Sequence, residues 1–425
     1  MTEPQRPASG NRAPRPLRLA LSNVGGATEV RGDPVAAKQL AAAFGGALSQ
    51  DDARLHVHGF HSYPARLHPQ IARKLLDLFA PARGTVLDPF CGSGTVLVEA
   101  RLAGRASIGS DINPLAIMLA KLKVRGANHG ELERLVLAAQ AAERHAHDRR
   151  MARAGATHRY PDADTRLFDP HVLLELDGLQ DGIRGALEGF VRDGLKLVLS
   201  AILTKVSRRA GDTGQLDEQP RRLAAGFTTR LFMRKTTELA ERIADFVRRL
   251  PAGRQEARVS LDDARALREV KSASVDLVVT SPPYPGNYDY VLHHEARLRW
   301  LGLDAKAFDD REIGARRHLE PAGHEAATAS FERDMAASLR AIRSALRPGG
   351  RAVIVMADAV VGKRPVLAEP LIRRAAAKEG LAWVATASQR RPHFHQGSAG
   401  AFAGRERAEH AILLQRGTEH ADAGR

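Results

Sequence analysis

Residues 84–90 (GTVLDPF) form a short apolar run that ends at a turn, Cys91-Gly-Ser-Gly94. Behind the turn, residues 95–104 (TVLVEARLAG) repeat their apolar positions at helical spacing and stop at Gly104. Residues 106–114 (ASIGSDINP) then read as a second strand closed by a polar turn. Strand, glycine-rich turn, helix and strand make a βαβ unit, which requires parallel pairing and a right-handed crossover. Parallel strands are buried on both faces, so the chain has to supply further strands and covering helices. It does so downstream, with strand-like runs at 257–261, 275–283, 351–358, 381–389 and 409–416 and helical stretches at 327–346 and 365–379. The expected fold is α/β, a doubly wound and mostly parallel sheet.

That pattern is interrupted. From 125 to 255 the sequence is mostly helical without a convincing strand, and its polar loops fall at 153–165 and 208–222. The expected organisation has an α/β domain split over 51–124 and 256–417 by a helical insertion at 125–255. A Pro- and Arg-rich arm over residues 1–50 is read as flexible, with a helical pattern between Asp33 and Leu48 and ordered structure from near His56. Residues 418–425 are read as a flexible tail.

The 425 residues carry 64 Lys plus Arg against 49 Asp plus Glu, a net charge of +15. This balance suits a polyanionic partner, although an Ala- and Arg-rich coding bias would give the same figure. A single cysteine, Cys91, excludes a disulfide framework within the chain and any zinc site built on several thiolates. The longest apolar stretch, 195–206, is too short for a bilayer and contains Lys196 and Lys205. With no signal-peptide pattern at the first residues, the expectation is a soluble cytoplasmic protein without a membrane partner.

Two segments carry the chemistry. Asp88-Pro-Phe-Cys-Gly-Ser-Gly-Thr95 places close glycines after a strand, where backbone can approach a ligand and aim amide donors at it. It lacks the third glycine of the dinucleotide fingerprint and the lysine of a phosphate-binding loop, which disfavours phosphate cradling. Asp111, about twenty residues on, closes the second strand where a carboxylate can accept both hydroxyls of a ribose. The other segment is Thr280-Ser-Pro-Pro-Tyr284, directly after VDLVV. Two prolines lack amide donors and end the strand, while their carbonyls remain free to accept. The Ser281 hydroxyl and Pro282 carbonyl are acceptors that suit an exocyclic amine, and the Tyr284 ring can stack on a base.

DPFCGSGT followed by SDINP and then TSPPY resembles the amino-methylating DNA methyltransferases, which use S-adenosylmethionine. The resemblance covers roughly 56–124 and 256–416 and implies a Rossmann-like class I methyltransferase fold. It implies that Asp88, Pro89, Phe90, Gly92, Gly94 and Thr95 wrap the methionine part of the cofactor, with Asp88 near its amino group. It further implies that Asp111 holds the ribose hydroxyls, with Ile112 against the adenine. Asp263, in SLDDARAL, resembles the acid that meets the adenine amine. Residues 60–69 (FHSYPARLHP), Tyr63 among them, resemble the element that closes over the methionine end. Ser281, Pro282, Pro283 and Tyr284 look like the catalytic tetrapeptide. Serine at its first position is commoner in cytosine-N4 enzymes, and aspartate in adenine-N6 and RNA guanine-N2 enzymes.

The resulting expectation is transfer of a methyl group to the exocyclic amine of a flipped base in DNA, with cytosine N4 favoured. Adenine N6 and guanine N2 of tRNA are the nearest rivals, and a non-catalytic nucleic-acid binder is the most distant. Arg208, Arg209, Arg221, Arg222 and Arg230, in the insertion, are candidate phosphate contacts, against the plainer reading of a solvated helix face and linker. His56, His58, His61 and His68 invite a metal reading, but they do not share a helix face and the chemistry needs none, so no metal is expected. His393 and His395 are left open between DNA contact and loop decoration.

Overall fold

The computed structural model describes residues 27–45, 48–209, 211–212, 216, 222–253, 255–392, 396–403 and 406–418. Ten strands are present among them. They are β1 (Thr28–Gly32), β2 (Thr85–Asp88), β3 (Ala106–Asp111), β4 (Ala257–Leu261), β5 (Val275–Thr280), β6 (Leu346–Ala357), a small hairpin of β7 (Ala359–Val361) and β8 (Arg364–Val366), β9 (Leu381–Arg391) and β10 (Arg407–Arg416). All but the hairpin join one sheet in the order β1-β9-β10-β6-β5-β2-β3-β4. The central pairs β2·β3, β2·β5, β3·β4 and β5·β6 are parallel, and β10 runs antiparallel between β6 and β9. The expected doubly wound, mostly parallel sheet is therefore present.

The chain order fixes where a ligand can sit. From β2 it runs outward through β3 to β4, and with β5 it starts again on the other side of β2. The crevice between the carboxyl ends of β2 and β5 is thus the topological switch point, the usual ligand position in open α/β sheets. The buried side chains of these strands are aliphatic: Val86, Leu87, Leu277, Val278 and Val279 are all 0% exposed. Each such side chain contributes on the order of 1.5–3 kcal/mol relative to exposure.

One expectation is corrected. Residues 27–45 are not a flexible arm, since β1 pairs with β9 from Thr28↔Gln389 to Gly32↔Ala385. The helix that follows, α1 (Pro34–Phe44), matches the pattern expected between Asp33 and Leu48. Asp33 caps it by accepting from the Ala36 amide at 2.9 Å, proline takes its first turn, and Leu40, Ala43 and Phe44 are buried. Residues 1–26, the rest of that arm, and 419–425 of the expected tail lie outside the described residues.

Helices α2 (Pro69–Phe79), α3 (Thr95–Leu102) and α4 (Pro114–Arg125) belong to the first half of the sheet. The helical run 125–255 is observed as α5 (His129–Met151), α6 (Asp162–Leu167), α7 (Pro170–Arg184), α8 (Phe190–Val206) and α9 (Phe227–Arg249). Asn128 and Glu131 open α5 with a reciprocal capping box, which explains a sharp start after Gly126. These helices share one apolar cluster with α4, Phe60 and Cys91, so the run packs against the sheet domain and does not stand as a free lobe. No helix among the described residues is long and apolar enough to cross a membrane.

Candidate active site

A cleft enclosing about 660 Å³ opens at the switch point. A smaller space of about 320 Å³ adjoins it, and the two share Tyr63, Ala65, Phe90, Gly92 and Ser281 as walls. Asp88 ends β2 and is 4% exposed. Its Oδ1 accepts the Thr280 hydroxyl at 2.6 Å and the Phe90 amide at 3.2 Å. Burial pushes this carboxyl up to about 7 despite both bonds. Gly92 and Gly94 have φ of +48° and +84°, which suits residues without a Cβ. A Cβ on Gly92 would come within 3.2 Å of the Tyr63 ring, so glycine lets the tyrosine lie over the loop. Gly94 caps α3, and Thr95 begins it.

Asp111 ends β3 and grips the same turn. Its Oδ2 accepts from the Gly92 amide and its Oδ1 from the Asn113 amide, each at 2.9 Å. Burial, with the Glu312 charge adding to it, raises this carboxyl to about 6. Ile112 and Asp263 line the cleft beside it. Asp263 is held by Arg265, whose Nη2 lies 2.7 Å from Oδ2. Burial alone would raise the Asp263 carboxyl, but the hydrogen bonds from Arg265 hold it below its ordinary value.

The second segment meets the first across the crevice. β5 ends at Thr280, Ser281 and Pro283 line the large cleft, and Pro282 is buried. The Tyr284 hydroxyl donates to Glu409 Oε1 on β10 at 2.9 Å. Burial and the Glu409 charge raise this phenol well above its ordinary value, which keeps it a donor. Asp88, Pro89, Phe90, Gly92, Thr95, Asp111, Ile112, Asp263, Tyr63, Ser281 and Pro283 therefore wall two adjoining spaces, while Gly94, Pro282 and Tyr284 line neither.

The DNA methylase family N6_N4_Mtase matches residues 45–122, the segment that holds the loop and Asp111. The Type II methyltransferase M.MvaI of Kocuria varians is 28% identical over 275 residues, 60% of this chain and 60% of that protein. These two matches support the resemblance to the amino-DNA methyltransferases. The Type II methyltransferase M.BsoBI of Geobacillus stearothermophilus is 23% identical over 278 residues, 59% of this chain and 53% of that protein. Both matches span under two thirds of the relatives' length. A tRNA (guanine(10)-N2)-dimethyltransferase of Methanothermobacter thermautotrophicus is 41% identical over 64 residues, 15% of this chain and 19% of that protein.

The cleft is also walled by residues that the sequence did not single out. Tyr290, Phe308, Glu312 and Ile313 line the cleft from the segment after TSPPY. Tyr290 begins α10 (Tyr290–Leu301), whose first two amides donate to Glu312 at 2.6 and 3.4 Å. The aromatic run NYDY was the available signal, but only tertiary packing brings Glu312 back to it. Helix α10 is also gripped by the helical run 125–255. Buried Arg297 donates to Asp212 Oδ1 at 2.7 Å, to Ser62 Oγ at 3.0 Å and to the Ser200 carbonyl, and its Nη1 lies 3.0 Å from His61 Nε2.

The candidate phosphate contacts separate into two kinds. Arg222 and Arg230 are exposed. Arg208 is half-buried and donates to Asp169 through Nε at 2.9 Å and Nη2 at 2.6 Å, and Arg209 sits in an isolated bridge to Leu216. Arg221, like His393 and His395, lies outside the described residues. Of the four upstream histidines, His68 caps α2 and His61 faces Ser200 and Arg297. His56, His58 and Glu99 converge, with candidate ligand atoms within 4.8 Å of one another. The Glu99 carboxylate already accepts from His58 at 2.7 Å and from Arg73 at 2.9 Å.

Proposed function

We propose that the chain methylates the exocyclic amine of a base in DNA, with cytosine N4 as the target. The observation that carries this reading is that Ser281 and Pro283 line the same cleft as Asp111 and Asp263. An amine acceptor and a nucleoside-binding wall thus face one space, which is what transfer between a cofactor and a base amine requires. The fit of the cofactor is supported by the left-handed glycines under Tyr63 and by two buried carboxylates with raised affinity for protons, suited to an ammonium and to ribose hydroxyls.

S-adenosylmethionine supplies an electrophilic methyl group on a sulfonium. Asp88 would receive its ammonium, Asp111 its ribose hydroxyls, and Asp263 and Ile112 its adenine. The Ser281 hydroxyl and the Pro282 carbonyl accept hydrogen bonds from the target amine and favour its pyramidal form, in which the lone pair is free to attack. A base stacked in duplex cannot reach this cleft, so it is flipped against Tyr284. Catalysis rests on positioning and preorganised acceptors, and no covalent link to the base is needed. Cys91 is buried in the cofactor loop, away from the role of a nucleophile toward carbon 5. Arg222 and Arg230 are available to phosphates, and the helical run 125–255 is the place to seek target recognition.

The tRNA reading has one observation in its favour, the 64-residue similarity to a guanine-N2 enzyme. The deciding experiment offers duplex DNA and bulk tRNA in parallel with tritiated S-adenosylmethionine, followed by nucleoside digestion and chromatography. Label in N4-methylcytosine from DNA supports the proposal. Label in N6-methyladenine corrects the base, and label in RNA alone overturns the DNA substrate.

A further inference from the structure

Arg407 opens β10 at the carboxyl ends of the parallel strands, because β10 runs against them. It is 7% exposed, and among the described residues neither Nε nor Nη2 has a hydrogen-bond partner. Its ladder neighbour Arg391 is buried too, but donates to Glu409 through the same two atoms at 2.9 and 2.6 Å. Buried guanidinium donors left unpaired are costly, so one such residue beside an active site calls for an acceptor from outside the chain. The Nε–H and Nη2–H groups lie on one edge of a rigid plane and form a fork for two adjacent acceptors.

The surroundings narrow what that acceptor pair is. Glu409, two residues along the same strand, holds the Tyr284 hydroxyl. The carboxylates of Glu409 and Asp358 and the hydroxyls of Tyr284 and Tyr288 lie within electrostatic reach of the guanidinium. Two carboxylates repel a phosphate and leave a neutral ligand with paired acceptors. Cytosine carries N3 and O2 side by side, on the edge that continues to its N4 amine. On the matching edge adenine offers N1 beside a C2–H, which is one acceptor and no second.

We propose that Arg407 selects the target base, donating from Nε and Nη2 to N3 and O2 of a flipped cytosine while Ser281 and Pro282 hold the amine. This rests on the amine-methylation reading given above. It makes Arg407 a specificity-determining residue, and it gives acceptors to the two buried donors, Nε and Nη2, that lack them among the described residues.

The test compares wild-type protein and Arg407→Met with tritiated S-adenosylmethionine on plasmid DNA, digests the product and maps the methylated position. Rates are then measured on duplex oligonucleotides carrying cytosine or 3-deazacytosine there, since the analogue keeps the amine and lacks the N3 acceptor. The analogue is expected to lower wild-type kcat/KM roughly ten- to hundredfold. Arg407→Met is expected to lose a similar factor on cytosine and little more on the analogue, with cofactor Kd unchanged. Should that variant fail to fold, Arg407→Lys on the same two duplexes gives the comparison. Equal further losses on the analogue in wild type and variant overturn the base contact and point to phosphate or packing. N6-methyladenine as the wild-type product overturns cytosine selection and leaves amine methylation standing. Absence of any methylated DNA removes the parent reading, and this one with it.

Discussion

The Thr280 hydroxyl donates to Asp88 Oδ1 across 2.6 Å, joining residues 192 apart in sequence and tying the end of β5 to the end of β2. The bond favours the ionised form of a carboxyl that burial pushes toward protonation. It therefore connects the amine-holding segment to the residue proposed to meet the cofactor's ammonium.

Thr280→Val removes the donor and leaves the Phe90 amide, at 3.2 Å, on that oxygen. The expected result is a stability loss of about 1–2 kcal/mol by urea denaturation and weaker cofactor binding by calorimetry. Thr280→Ser should restore both. Unchanged cofactor Kd in Thr280→Val would place the ammonium elsewhere.

Asp88 and Asp111 are raised from 3.8 to about 7 and about 6. Between those limits the folded chain holds more protons than the unfolded chain, so the contribution of these groups is greatest below the unfolded value and declines as pH climbs through 6 and 7. Cofactor affinity runs the other way, because an ammonium prefers ionised Asp88. Kd should fall about tenfold from pH 6 to pH 8 as the carboxyl ionises. Asp88→Asn should bind weakly with a flat profile, and a flat wild-type profile would contradict the assignment.

Tyr284 divides into a ring and a hydroxyl. Tyr284→Phe keeps the ring and removes the bond to Glu409, so kcat should fall only a few-fold. Tyr284→Ala removes the stacking surface as well, and a loss of about 1–3 kcal/mol in base binding should appear in kcat/KM for DNA. Equal rates for the two variants would remove the ring from the proposed site.

Salt dependence separates the arginines. Arg222→Ala and Arg230→Ala should each lower the slope of log Kd against log salt by about one, if the exposed guanidinium meets a phosphate. Arg208→Ala should leave the slope unchanged, because Asp169 already holds that side chain. Binding titrations at several salt concentrations measure all three.

Arg297 is the bolt between α10 and the helical run before it. Burial would raise the Asp212 carboxyl, but His293 and Arg297 hold it well below the carboxylate range. Arg297→Met leaves that carboxylate with His293 alone and takes the guanidinium from the Ser200 carbonyl, at a cost of about 3–5 kcal/mol in chemical denaturation. A smaller loss would mean that water or another side chain takes over.

Strands β2, β3 and β5 were legible because they are largely buried and read as apolar runs closed at a turn that holds proline. The site loops were legible because Gly92, Gly94, Pro282 and Pro283 have positional uses that few other residues share. Strand β1 was not. Its sequence TEVRG has no alternation, four of its five residues are exposed, and only the ladder to β9 makes it a strand. Arg297 carries no signal in the sequence, because its partners Asp212, Ser200 and Ser62 come from three distant segments. Glu312 and Arg407 were invisible for the same reason, since each acquires meaning only from the elements folded against it.

The place of β10 has a consequence for synthesis. Residues 407–416 are made after the glycine loop and TSPPY, yet they occupy an interior position between β6 and β9 and bring Glu409 to Tyr284. A nascent chain that has already exposed the glycine loop and TSPPY still lacks the strand that anchors its tyrosine. The site is completed only when this later strand threads into its slot, so the chemistry of the earlier segments waits on residues made well after them.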